Sequence, residues 1–308
     1  MAAEKLMTQI LIDAGQPYDW GSNTSVNSTN LQDFGLAKYD ETTREAYVLD
    51  PDNVLRLDSN NPLYIPPSKA AALLNLANDY GFTLDIHPIL NVTVSSTQTN
   101  DVYNLTTTSE YEALPLTNAQ VNATLFYLDG ATQTINAKSV SNVTDYGGRC
   151  TVNFSGIPNT QMKVLALSVN YYGIHTAQTY NVGTGVVPAY LIGNNLYLNS
   201  SNTIKNAAIT QVIATETSGN HSISNFTSQL ASNSLQNFTL AYTEPTALAI
   251  LGVLSDGQTL ICASRNISIS YSTIPGTSSF PLSYSLERTV IIGETTYTAR
   301  LLLWRMSY

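Results

Sequence analysis

The stretch Gln120-Val-Asn-Ala-Thr-Leu-Phe-Tyr-Leu-Asp-Gly130 decides how the chain is read. Val121, Ala123, Leu125 and Tyr127 recur at every second position, the spacing of side chains on one face of a β-strand. Asp129-Gly130 then supplies the turn chemistry of a hairpin. The same signal repeats on either side. Val140, Val143, Tyr146-Gly-Gly148 and Cys150-Thr-Val-Asn-Phe154 follow at similar spacing, and Val164–Tyr171 and Ala177–Val182 complete about six strands from Thr93 to Val182.

Strands separated by Gly, Pro and Asn turns in this rhythm form the pattern of an immunoglobulin-like sandwich, although the antibody Cys…Trp…Cys spacing is absent. Further on, Tyr190–Leu198, Ile209–Thr215, Thr239–Tyr242, Ala247–Leu254, Thr259–Ala263, Ile267–Tyr271, Thr289–Ile292 and Tyr297–Trp304 read as strands. Asp256-Gly257 and Gly293-Glu294 read as their turns. The last stretch, Thr296–Met306, becomes continuously apolar through Trp304 and reads as a central strand. Gly183-Thr-Gly-Val-Val-Pro188 begins like a dinucleotide fingerprint. Pro188 takes the last Gly place and no helix follows, so the segment reads as an interdomain linker.

The first ninety residues differ. They hold 12 acidic and 5 basic groups, against 10 and 8 in the remaining 218. Leu6, Ile10 and Leu11 have helical spacing, and Asp50-Pro51 pairs a capping Asp with Pro at the first helical position. Ser68 reads as the cap of a further helix burying Leu73, Leu74 and Leu76. Phe82–Val94 reads as a strand interrupted, or held at an edge, by Pro88. The expected fold is mainly β: a small α+β domain over 1–90, an Ig-like sandwich over 91–185 and a second β-sandwich over 186–308.

Composition narrows the function. The 308 residues carry a formal charge of −9, and 11% are charged against the ~25% usual for soluble domains. Ser, Thr and Asn together supply 96 residues. So few cations leave no electrostatic footprint for nucleic acid. No run approaches the ~18 apolar residues of a membrane span. Met1-Ala-Ala-Glu-Lys also lacks the apolar core of a signal peptide, so a surface location implies that a natural N-terminus has been trimmed.

That location is suggested by Asn-x-Ser/Thr sequons at Asn23, Asn27, Asn91, Asn104, Asn122, Asn142, Asn153, Asn199, Asn220, Asn225, Asn237 and Asn266. These twelve are about twice the number chance predicts from the Asn, Ser and Thr content. Cys150 and Cys262, 112 residues apart, have no metal or redox spacing. They permit one long-loop disulfide or two buried free thiols.

Gly15-Gln-Pro-Tyr-Asp-Trp-Gly21, Phe34-Gly-Leu-Ala37, Leu49-Asp-Pro-Asp-Asn-Val-Leu-Arg-Leu57 and Gly81-Phe82 resemble a family of archaeal cell-surface proteins that begin with one pilin-like transmembrane helix. The stretch from Glu287 to Arg305 resembles the same proteins. Asn142-Val-Thr-Asp-Tyr-Gly-Gly-Arg-Cys-Thr-Val-Asn-Phe154 resembles invasin-like or carboxypeptidase-regulatory-like sandwich modules. The resemblance implies a membrane-anchored ectodomain related to pilin-like components. Its partners would be other surface or pilus subunits and glycans, and its membrane contact would run only through the absent helix.

Catalytic patterns are sparse. His87, His175 and His221 stand apart without zinc spacing, and no Gly-x-Ser-x-Gly elbow occurs. Asp50, Asp52 and Asp58 read as a cap and solvated acids rather than a calcium loop, since Pro51 and a helix-like run intrude. Glu110, Glu112, Glu216, Glu244, Glu287 and Glu294 are not paired by local spacing as glycoside hydrolysis requires. Tyr171-Tyr172 suits core and rim as well as a sugar platform. The expectation is an extracellular, glycosylated structural or adhesive protein without catalysis, cofactor or metal. The alternative is a secreted carbohydrate-binding module or glycoside hydrolase.

Overall fold

The computed structural model describes residues 2–41, 45–76, 79–110, 112–159, 161–198, 208–216, 221–224, 228–229, 237–240, 247–254, 256–274 and 283–306. The helices are α1 (Ala2–Ile12), α2 (Pro51–Leu55) and α3 (Pro67–Leu73). Strands β1 (Val48–Leu49) and β2 (Tyr80–Pro88) lead into β3 (Leu90–Ser96), β4 (Val102–Ser109), β5 (Gln120–Asp129), β6 (Thr134–Val143), β7 (Arg149–Asn153), β8 (Lys163–Tyr171) and β9 (Ile174–Asn181). Next come β10 (Val187–Ile192), β11 (Asn195–Leu198), β12 (Ala208–Glu216), β13 (His221–Ser224), β14 (Ser228–Gln229), β15 (Asn237–Thr239), β16 (Ala247–Leu254) and β17 (Leu260–Ser264). The chain closes with β18 (Ile269–Ser272), β19 (Ser283–Ile292) and β20 (Thr295–Arg305). The fold is mainly β, as the two-residue periodicity predicts.

Two compact units form, one from residues 1–88 with 267–308, the other from 89–266. This differs from a sequential division at residue 186. Residues 267–308 complete the sheet of the first unit, while 186–266 belong with the sandwich. A local pattern identifies a strand but carries no information about its partner some two hundred residues away.

In the first unit the sheet order is β1-β19-β20-β2-β18. β20 is central, as its apolar run predicts, and pairs with β19 and β2 along most of its length. Ile86 of β2 pairs with Ile269 of β18, so the chain leaves and returns to this sheet along neighbouring strands. One sheet face packs on α1, whose Ala3, Leu6, Met7, Ile10 and Leu11 lie on a single stripe. Asp50 caps α2 by accepting from Asp52 N at 2.8 Å and Asn53 N at 3.1 Å. Ser68 does not cap α3. Pro66 holds that place without a side-chain bond, and the fixed φ of Pro67 starts the helix instead. Leu74 and Leu76 are buried as expected, with Leu73 packed at the margin of the core. The run Phe82–Val94 splits at Pro88 into β2 and β3, which join different sheets.

Arg56 fastens the loops of this unit. Fully buried, it donates to the carbonyls of Leu63 at 2.6 Å, Trp20 at 2.7 Å and Val26 at 2.5 Å. Gly21 is required beside it, because a Cβ there would stand 2.4 Å from Asn53 N. Gly35 lets its strip of chain approach the end of α1, where a Cβ would meet Asp13 O at 2.2 Å.

The second unit stacks three sheets. The outer β3-β4-β7 sheet and the middle β6-β5-β8-β9 sheet enclose Leu105, Val121, Leu125, Val152 and Leu167. The other face of the middle sheet presents Phe126, Leu128, Val164 and Ala166 to Leu248, Leu251 and Leu260 of the third. That third sheet runs β13-β12-β16-β17-β10-β11-β15, with β14 beside β12. β5 is therefore buried on both faces over its second half, which a one-sided alternation does not anticipate. Gln211 accepts from Ile135 N at 2.6 Å and ties β6 to the third sheet. The Gly183–Pro188 segment links β9 to β10 within this unit rather than joining two domains. A Cβ on Gly183 would stand 1.8 Å from Gln161 O. Tyr190–Leu198, read as one strand, is the hairpin β10–β11.

Candidate functional site

The sequon asparagines fall on strand faces and turns. On the outer sheet, Tyr103, Leu105 and Val152 point into the core, so Asn104 and Asn153 point away, as does Asn91 between buried Leu90 and Val92. These three share one exposed face with Thr93, Thr106 and Thr151. Asn27, Asn122, Asn142 and Asn266 are also exposed, and Asn23 is half-buried. The buried asparagines Asn53 and Asn61 belong to no sequon. Asn199, Asn220 and Asn225 lie outside the described residues, as does the side chain of Asn237.

Glycans attach at the amide nitrogen, so its bonding matters. Asn104 and Asn122 accept at Oδ1, from Thr151 Oγ1 at 2.8 Å and Ser141 Oγ at 2.7 Å. Thr29 Oγ1 donates to Asn27 Oδ1 at 2.6 Å, so that sequon is closed on itself. By contrast, Asn142 Nδ2 donates to Thr151 O at 2.7 Å and Asn266 Nδ2 to Thr179 O at 2.6 Å. Asn23 Nδ2 likewise donates to Asp19 Oδ2 at 3.0 Å.

A recess of about 490 Å³ opens at the end of the sandwich formed by the β3–β4 turn and the start of β8. In it Lys163 Nζ lies 2.6 Å from Asp101 Oδ1, with side chains only 11% and 9% exposed. Burial, then the Asp101 charge and a hydrogen bond to it, pushes the Tyr103 phenol up to about 12. Tyr180 is pushed up to about 12 by burial, and its hydroxyl donates toward Val92 O and Gln178 Oε1. The recess is thus held by an ion pair and two phenols that stay neutral at physiological pH.

A larger cleft of about 750 Å³ lies in the first unit, between the end of α1, the loop through Gly15–Tyr18 and the strip around Tyr39. Tyr18 and Tyr39 stack at its mouth with centroids 4.2 Å apart and planes inclined by 23°. They remain 56% and 44% exposed. Backbone bonds frame the cleft: Leu36 N to Ile10 O at 2.8 Å, Ala37 N to Asp13 O at 2.9 Å and Gln16 N to Asp33 O at 3.2 Å. Sequence reading misses this site because Tyr18 and Tyr39 are twenty-one residues apart in irregular chain, where no periodicity links them.

The remaining candidates are dispersed. Cys150 and Cys262 are free thiols, not a disulfide. Cys150 sits in the core between the outer and middle sheets, and Cys262 packs against the core between the middle and third, so a β-sheet separates them. Burial raises both thiol pKa values, aided at Cys150 by the Asp145 charge and reaching about 12 at Cys262.

His87 Nδ1 lies 2.9 Å from Ser268 Oγ on the outer sheet face of the first unit, while Asp85 accepts from Ser270 Oγ at 2.7 Å. Serine, histidine and aspartate are neighbours there, but the carboxylate binds a serine instead of orienting the imidazole. His175 is exposed beside Asn170, and the side chain of His221 lies outside the described residues. Asp52 is buried and Asp58 closes a turn onto Asn60 N at 2.9 Å. Glu287 faces Arg300 at 3.7 Å, Glu112 and Glu294 are exposed and Glu110 is half-buried. Glu244 and the Glu216 side chain lie outside the described residues. Tyr171 packs at the core margin and Tyr172 is exposed, with rings edge to face.

Among the described residues no helix is long and apolar enough to cross a membrane, and no three His, Cys, Asp or Glu side chains converge as a metal would require. The sequence matches no protein-family model and no curated protein.

Proposed function

We propose that this chain is a glycosylated extracellular module with a structural or adhesive role at a cell surface, related to pilin-like envelope components. The observation that carries the reading is the distribution of sequons: each one whose side chain is described reaches solvent, and Asn91, Asn104 and Asn153 stud one sheet face. A face of Asn and Thr with few charges suits carbohydrate attachment and hydrogen-bonded contacts with other subunits. Glycopeptide mapping of the protein purified from its own cells tests it. Glycans are expected at Asn27, Asn91, Asn104, Asn122 and Asn153, where the amide nitrogen has no protein partner among the described residues. Lower occupancy is expected at Asn142 and Asn266, where that nitrogen is bonded to backbone. Unmodified asparagine at every sequon would overturn the reading.

A further inference from the structure

The geometry points to the Tyr18–Tyr39 cleft as a binding site for a neutral oligosaccharide, with the stacked rings as its platform. This deepens the adhesive part of the function proposed above by giving it a ligand class and a site. Two exposed tyrosines already in contact present flat apolar faces next to hydroxyl tips, the combination that meets the C–H face of a pyranose and its hydroxyls together. Their mutual stacking fixes the rings before any ligand arrives, so less freedom is lost on binding. The cleft volume of about 750 Å³ lies within the range of small-ligand sites and has room for a short oligosaccharide.

The polar lining selects among ligands. Gln9, Gln16 and Gln32 bring amides that both donate and accept, as hydroxyl-rich ligands require. Among the described lining residues Asp13 and Glu45 stand with Lys38, a mixed set without the grouped cations that a phosphate or acidic sugar would need. The frame is stiff, because Gly35 allows backbone contact with the end of α1 and the hydrogen bonds from Leu36 and Ala37 lock that contact.

The test is a titration of the full chain, produced without glycans, with malto-, cello-, manno- and chitohexaose, followed by calorimetry and saturation-transfer NMR. At least one hexaose is expected to bind, with contact to the tyrosine ring protons. Tyr18→Ala and Tyr39→Ala should each weaken binding tenfold or more, and Tyr39→Phe should retain most of it. Both tyrosines are exposed, so circular dichroism of the Ala variants should match the parent. Absence of binding by all four sugars, or binding unchanged in both Ala variants, overturns the assignment. Because the sample carries no glycans, this outcome is independent of the glycopeptide map that tests the surface role.

Discussion

The guanidinium of Arg56 lies 5.7 Å from the centroid of the Trp20 ring while donating to the Trp20 carbonyl at 2.7 Å. Arg56 thus binds one residue twice, once through its π face and once through its backbone, and reaches the carbonyls of Leu63 and Val26 as well. Trp20 in turn donates its indole N–H to Ala14 O at 2.9 Å and Gly35 O at 3.1 Å. These two side chains tie the irregular stretch from Ala14 to Gly35 to α2 and the loop after it.

Arg56→Met should therefore destabilise the first unit strongly, by about 3 kcal/mol or more, since several buried carbonyls lose charged donors at once. Arg56→Lys should recover little of this, because an ammonium cannot span the fork from Leu63 to Val26. Urea denaturation followed by tryptophan fluorescence measures both variants.

Gly81 faces Trp304 across the β2–β20 pair, and a Cβ there would lie 2.5 Å from the indole ring. Gly81→Ala should cost about 1–3 kcal/mol by overpacking. A Cβ on Gly130 in the β5–β6 turn would meet nothing within 4 Å beyond its chain neighbours, and Gly130→Ala should be close to neutral. Thermal melts of the two variants make the comparison.

Asp101 and Lys163 form a buried pair, so removing one partner strands the other. Lys163→Met is expected to cost about 3 kcal/mol, and the double variant Asp101→Asn with Lys163→Met should recover much of it. Asn is the apt replacement because Asp101 has φ +60°, a conformation Asn tolerates. A double-mutant cycle gives the coupling.

Buried phenols give an alkaline limit. Tyr103 and Tyr180 titrate near 12 in the fold against about 10 when unfolded, and burial raises Tyr271 and Tyr297 in the same direction. A raised folded pKa favours the fold below the unfolded pKa and loses that contribution as pH rises. Stability should hold to about pH 9 and fall between about 10 and 12. Denaturation midpoints across this interval, with phenolate absorbance, test it.

The thiols should behave alike. At pH 8 the native protein should resist maleimide labelling at Cys150 and Cys262, and denaturant alone, without reductant, should release two reactive thiols. A cross-linked peptide joining them in non-reducing mass spectrometry would contradict the structure.

Much of the fold is legible in residues that act locally. Asp50-Pro51 starts α2, the alternation in Gln120–Leu128 is β5, and Ala247–Leu254 is β16 end to end. Pairing is not legible, because β2 and β20 meet through register set by burial across the whole chain. The capping role read into Ser68 fails because two prolines dictate the backbone first. At the sites, sequons announce themselves in three residues, whereas Tyr18 with Tyr39 and Asp101 with Lys163 become partners only through tertiary structure. The motifs Gly15–Gly21 and Leu49–Leu57 converge at Arg56 and Trp20, so part of what makes those segments distinctive serves folding.

The central place of β20 between β19 and β2 has a consequence for the order of synthesis. When residue 88 leaves the ribosome, β2 has neither of its neighbours, and both edges stay unpaired while the next 178 residues are made. The unit built from 89–266 contains its own pairing partners and can close during that interval, ahead of the unit that precedes it in the chain. Nascent chains stalled with residue 266 just clear of the exit tunnel should accordingly yield a protease-resistant fragment covering the later unit alone. The waiting segment 1–88, with its apolar stripe on α1 and open strand edges, is where a chaperone would be needed.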